Sequence, residues 1–149
     1  MTAAIQGRAT ARRENLLINK PVSGSATIYA GTMFALLAAD GMAVPAGTAG
    51  SGQALAVARY TVSGEGTDGL NRVDGERGCF KFANSAAGDE ITHAHIGQAC
   101  YAVDDQTVAL TDGSGSLSLA GAIADVDSDG DVWVQIMPGA LGPAGPAGP

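Results

Sequence analysis

Between residues 95 and 137 short apolar runs alternate with turn-forming residues. Cys100-Tyr101-Ala102-Val103 gives way to Asp104-Asp105, and Thr107-Val108-Ala109-Leu110 to Thr111-Asp112-Gly113-Ser114-Gly115. A longer run over 117–126 then meets Asp127-Ser128-Asp129-Gly130, and Val132-Trp133-Val134-Gln135-Ile136 follows. Each run is of strand length, and each gap holds the Asp, Gly and Ser that tight turns use. Ile123 and Asp125, then Val132, Val134 and Ile136, fall at spacings of two around Asp129-Gly130. Glycine there can take the positive φ of a hairpin turn, so this stretch predicts a β-meander.

The same pattern extends upstream. Thr27-Ile28-Tyr29 and the run 32–38 read as strands, because Ala30-Gly31 and Asp40-Gly41 bracket the second and Met42-Ala43-Val44-Pro45 follows at hairpin distance. Residues 46–52 form a loop, and 53–62 resumes alternation, with Ala54, Ala56 and Ala58 on one face and Leu55, Val57 and Arg59 on the other. Residues 63–69 are a second glycine-rich loop. A phosphate-cradling role fails there, since no Lys-Ser or Lys-Thr follows the glycines. Residues 71–74 and 78–83 suggest a strand pair across Gly75-Glu76-Arg77, with Phe80 and Phe82 on one face and Cys79 and Lys81 on the other. Residues 84–90 read as a turn and 91–96 as a single helical turn. Roughly nine to eleven short strands predict an all-β fold, a compact small barrel or sandwich of short antiparallel strands.

Two terminal stretches differ from this body and divide the chain into 1–21, 22–137 and 138–149. Residues 1–21 are a basic extended arm, readable also as a short helix, holding Arg8, Arg12, Arg13 and Lys20 together with an apolar patch at Leu16, Leu17 and Ile18, and ending at Pro21. An idle terminus has little reason to carry that patch, so the arm is expected to order on a partner. Residues 138–149 place glycine at every third position: Gly139, Gly142-Pro143, Gly145-Pro146 and Gly148. In a collagen-like Gly-X-Y run only glycine fits the axis of three wound chains. So short a run cannot hold a triple helix alone, and a Pro/Gly spacer is the other reading. As a trimer-associated tail it points to three chain ends lying together.

Composition narrows the functional classes. A chain of 149 residues with 22 glycines, 15% charged and 5% aromatic residues fits one turn-rich β domain. The net charge is −7, but the four cations of residues 1–20 against Glu14 give +3 and leave −10 on the remainder. That balance argues against nucleic acid as a partner of the body. Residues 1–20 lack the apolar core of a secretory signal, and no apolar run approaches a membrane span. Cys79 and Cys100 are therefore expected as reduced, mostly buried thiols.

Candidate chemistry is sparse. Asp125, Asp127, Asp129, Gly130 and Asp131 resemble the opening of a calcium loop, but Ile136 stands where the bidentate glutamate belongs and no helices flank it. A solvated hairpin turn is the better reading. His93 and His95 would share one face of a strand, with Cys79 and Cys100 the available soft partners, at a spacing that matches no zinc motif. Asp104 and Asp105 would face opposite ways on a strand and suit a turn. No serine sits in a nucleophile elbow. The expectation is a non-enzyme without cofactor or metal.

The segment 95–109 (His-Ile-Gly-Gln-Ala-Cys-Tyr-Ala-Val-Asp-Asp-Gln-Thr-Val-Ala) resembles the central block of tailed-bacteriophage capsid cement, or head decoration, proteins. Ala120-Gly121, Val132-Trp133-Val134, Tyr29-Ala30-Gly31-Thr32, Gly41-Met42-Ala43-Val44-Pro45-Ala46 and Gly78-Cys79-Phe80-Lys81-Phe82-Ala83-Asn84 are similar to its other blocks. The similarity covers about 22–137 and omits arm and tail. It implies a β-rich virion protein on the capsid exterior, assembled in the bacterial host cytoplasm. Trimers at three-fold and quasi-three-fold junctions would clamp the expanded shell, with the arm on the capsid surface. The implied partners are the phage major capsid protein and two further copies of the chain, without nucleic acid or membrane. The competing class is a trimeric phage fibre, spike or surface-adhesion module.

Overall fold

The computed structural model describes residues 2–12 and 16–138. Arg13 and the tail positions Gly139, Gly142, Pro143, Gly145, Pro146 and Gly148 lie outside the described residues.

The body is all-β. Among the described residues twelve strands run in order: β1 (Leu17–Pro21), β2 (Thr27–Ile28), β3 (Met33–Leu36), β4 (Ala43–Pro45), β5 (Ala56–Ala58), β6 (Val62–Ser63), β7 (Arg72–Glu76), β8 (Gly78–Asn84), β9 (Ala99–Ala102), β10 (Thr107–Ala109), β11 (Ser118–Val126) and β12 (Val132–Ile136). The N-terminal half makes an open antiparallel sheet in the order β1-β7-β5-β3-β4, with β2 and β6 as a separate ribbon. The C-terminal half closes into a five-stranded barrel, β10-β8-β12-β11-β9, sealed by pairing of β9 with β10. One barrel pair, β10 with β8, is parallel, against the antiparallel expectation.

The expected hairpins at 33–45 and 118–136 form as antiparallel pairs, the second with a bulge between Ile123 and Asp125. Gly130 takes φ of +92° in that turn, closed by Asp127 N–H donating to Asp131 C=O at 2.8 Å. Residues 71–74 and 78–83, in contrast, do not pair with each other. β7 lies in the open sheet and β8 in the barrel, so the chain crosses between layers at Arg77. Gly75, which read as a turn glycine, lies inside β7 because a Cβ there would sit 2.5 Å from the Phe34 ring. It is a packing glycine.

Two buried clusters follow from this layout. Inside the barrel Phe82, Cys100, Val108, Ile123, Val132, Val134 and Ile136 pack together, and Met33, Ala46, Ala54 and Val57 of the sheet half join them. On the opposite side of the sheet Ile18, Val22, Ile28, Phe34, Ala56 and Val73 form the second cluster. β3 and β5 are thus covered on both faces, which is why Met33 and Phe34, though adjacent, are both fully buried. The alternation expected over 53–62 holds only over β5, and Ala54 falls on the Val57 side rather than with Ala56 and Ala58.

β1 corrects the arm boundary. Leu17–Pro21 pairs with β7 from Leu17↔Glu76 to Pro21↔Arg72, and Ile18 is only 9% exposed. Ile18 is therefore a core residue, and Pro21 ends a strand rather than an arm. Removal of residues 1–19 would delete the edge strand together with the arm.

Candidate interaction surface

The open edge of β1 stands where the basic arm joins the body. Leu17 and Asn19 alternate outward on either side of buried Ile18, and Leu17 is 57% exposed. The Asn19 side-chain amide donates to Asp74 Oδ1 at 2.7 Å, while the Arg72 guanidinium donates through Nε to Asn19 Oδ1 and through Nη2 to the Asn19 carbonyl at 3.4 Å. This Arg72–Asn19–Asp74 chain fixes β1 on β7 from the solvent side. Beside it lies a groove of about 350 Å³ whose walls include Leu17, Lys20, Arg59 and Asp74. Arg59 extends over the ring of exposed Tyr60, 5.6 Å from its centre, in cation–π range.

Of the residues expected to bind a capsid, the structure brings Leu16, Leu17, Ile18 and Lys20 into the sheet and its groove. Arg8 and Arg12 lie in the exposed stretch 2–12, where Thr10 N–H donates to Arg8 C=O at 3.1 Å. Sequence reasoning missed Arg59, Arg72 and Asp74, because each meets β1 from far along the chain (Asn19 to Arg72 is 53 residues, Asn19 to Asp74 is 55) and leaves no local signal.

The other candidates are accounted for by local structure. Lys81 on β8 reaches the β11–β12 turn, with Nζ 2.7 Å from Asp129 and 3.0 Å from Asp127. The hydrogen bond to Lys81 and then the Asp131 N–H hold the Asp129 carboxyl below the usual range, and the hydrogen bonds to Asp129 and then Asp127 raise the Lys81 ammonium. His93 and His95 form a 3-10 turn instead of a strand, so they share no strand face. The Thr92 N–H donates to His95 Nδ1 at 2.9 Å, which places that ring's proton on Nε2 when it is neutral. Asp104 takes the Gln106 N–H at 2.9 Å in the β9–β10 turn, and burial followed by the neighbouring Asp104 charge raises the Asp105 carboxyl.

Both cysteines are free thiols. Cys100 is buried in the barrel, and burial pushes its pKa up to about 12. Cys79 lies exposed on β8, against the expectation of burial; partial desolvation and then the Asp125 charge raise its pKa. Among the described residues no group of three or more His, Cys, Asp or Glu side chains is placed to hold a metal ion, and no helix is long and apolar enough to cross a membrane. No protein family, curated protein or solved structure matches the chain.

Proposed function

We propose that the protein is a structural virion component that binds the outer surface of a phage capsid, as trimers at three-fold and quasi-three-fold junctions, and stabilises the expanded head. The observation that carries this reading is the separation of a packed β body from an exposed basic arm. The arm, with Arg8 and Arg12, leaves the body beside the open edge of β1. The blocks that resemble decoration proteins fall on the elements that build the body: 95–109 spans β9 and β10, 78–84 is β8, and 132–134 lies in β12. The partners are the major capsid protein and further copies of the chain, and the location is the capsid exterior.

Many copies, each burying modest surface against several shell subunits, add cohesion through multivalency without any single tight contact. Arg8, Arg12 and Arg13 supply charge, while Leu17 and Lys20 supply the adjoining surface. Deleting residues 2–12 leaves β1 and Ile18 in place and should abolish co-sedimentation with expanded heads while leaving the isolated protein folded. Undiminished binding by that variant would sink the role of the arm. Copies confined to the tail would favour the fibre reading.

A further inference from the structure

The arm carries a strand pattern that the single chain leaves unused. Over residues 5–12, beyond Ala4, the pattern alternates: Ile5, Gly7, Ala9 and Ala11 hold the odd positions and are small or apolar, whereas Gln6, Arg8, Thr10 and Arg12 hold the even ones. Period-two alternation of this kind belongs to a half-buried strand. Yet residues 2–12 are exposed throughout, Ile5 at 98%.

The free side of β1 is the complement. Arg77 N–H donates to Leu16 C=O at 2.7 Å and Val22 N–H to Asn71 C=O at 3.0 Å, so the even residues of this strand bond toward β7. The N–H and C=O of Leu17 and the N–H of Asn19 therefore point away from the sheet. Pro21, which has no N–H, closes the usable edge. Side chains alternate in step, with Ile18 toward the core and Leu17 and Asn19 beside Glu76 and Asp74 on the outer face. A strand with the arm's pattern would set its small side next to Ile18 and its arginines next to Leu17 and Asn19, on the outer face that also carries Asp74 and Glu76 one strand further in.

We propose that residues 2–12 of one copy add as a sixth strand to β1 of a second copy. The chain's own arm is less suited to that edge. Leu16 already belongs to the β1 ladder, and the return would turn through Arg13-Glu14-Asn15, which lacks the glycine that tight reversals favour. Charge suits an arm-to-body contact: residues 1–20 carry +3 and the remainder −10. An arm-to-edge contact is heterologous and closes into a ring when the rotation permits. A ring of three is the part of this inference that rests on the trimer proposed above.

The test is the mass of the purified full-length chain across concentration, without capsids, compared with three variants. Deletion of 2–12 removes the arm, Leu17→Pro removes an outward N–H while sparing the bonds to β7, and Arg8→Glu with Arg12→Glu reverses the arm's charge. The full chain should self-associate with slowed hydrogen exchange at the Leu17 and Asn19 amides, and each variant should be a folded monomer whose melt no longer rises with concentration. Mixing the deletion variant, which keeps the edge, with Leu17→Pro, which keeps the arm, should restore a heterodimer. A full-length chain that is monomeric at every concentration, or variants that associate undiminished, would overturn the exchange. So would arm-dependent protection of those amides within a monomer, the sign of a strand folded back on its own chain. A monomer that still decorates heads refutes strand exchange alone, whereas an oligomer with no affinity for heads refutes the capsid reading alone.

Discussion

The closed barrel and the open sheet share one buried cluster, yet they treat their backbone polar groups differently. Every barrel strand has two neighbours, because β9 and β10 join its ends. Its most acidic turn is held from within, by Lys81 against Asp127 and Asp129. The sheet stops at β1 on one side and β4 on the other. Its β1 edge keeps unmade backbone hydrogen bonds, the feature by which strands recruit further strands. The barrel is thus suited to persist and the sheet to make contacts, and the arm leaves from the sheet.

If the shared cluster welds the halves, damage to either side should lower a single transition. Phe34 is fully buried in the sheet's own cluster, next to Met33 of the barrel cluster. Phe34→Ala should cost about 3–5 kcal/mol and shift the melt of both halves together by calorimetry. Two separate transitions would break the comparison at its base.

The barrel's closure also predicts an alkaline signature. The folded pKa of Cys100, at about 12, lies above the ordinary 9.0, so the folded state holds that proton more tightly. Stability is fully present below 9.0 and is lost as pH rises toward the folded value, with a slope of about 1.4 kcal/mol per pH unit. Urea midpoints between pH 8 and pH 11 should fall accordingly, roughly in step with that slope, and Cys100→Ala should flatten the fall. Exposed Cys79 should alkylate in the native protein, whereas Cys100 should react only on opening.

At the sheet edge the expected effects are smaller and local. Ile18→Ala removes the buried anchor of β1 and should cost about 2 kcal/mol, seen as faster hydrogen exchange in β1 with the barrel amides unmoved. Equal loosening of both regions would contradict a separable edge. Lys81→Met should have the smallest effect, since the pair it breaks is solvated. What it removes is present above the ordinary carboxylate value of 3.8, fades as pH falls through the lowered Asp129 value, and vanishes in high salt.

These same features mark how much of the molecule is legible in sequence. The β11–β12 hairpin is readable because its register depends on neighbouring residues and on Gly130, and Phe80 and Phe82 are readable by their spacing of two. The split into barrel and sheet is not readable. It rests on long-range pairing of β7 with β1 and β5 and of β8 with β12, and Gly75, which has the composition of a turn, is instead a close contact with Phe34. The edge is half readable: Leu16-Leu17-Ile18 announces an apolar patch, but only pairing with β7 shows that Ile18 is core and Leu17 surface. Non-local pairing decides which residues of one short motif hold the fold and which remain exposed for contact.

The most direct measurement of the central claim is electron microscopy of intact particles, which gives site, symmetry and copy number together. The protein should appear at hundreds of copies on the outside of expanded heads, in trimers at three-fold and quasi-three-fold positions, with the sheet edge and arm toward the shell. A few copies on a tail, or heads bare of the protein, would contradict it.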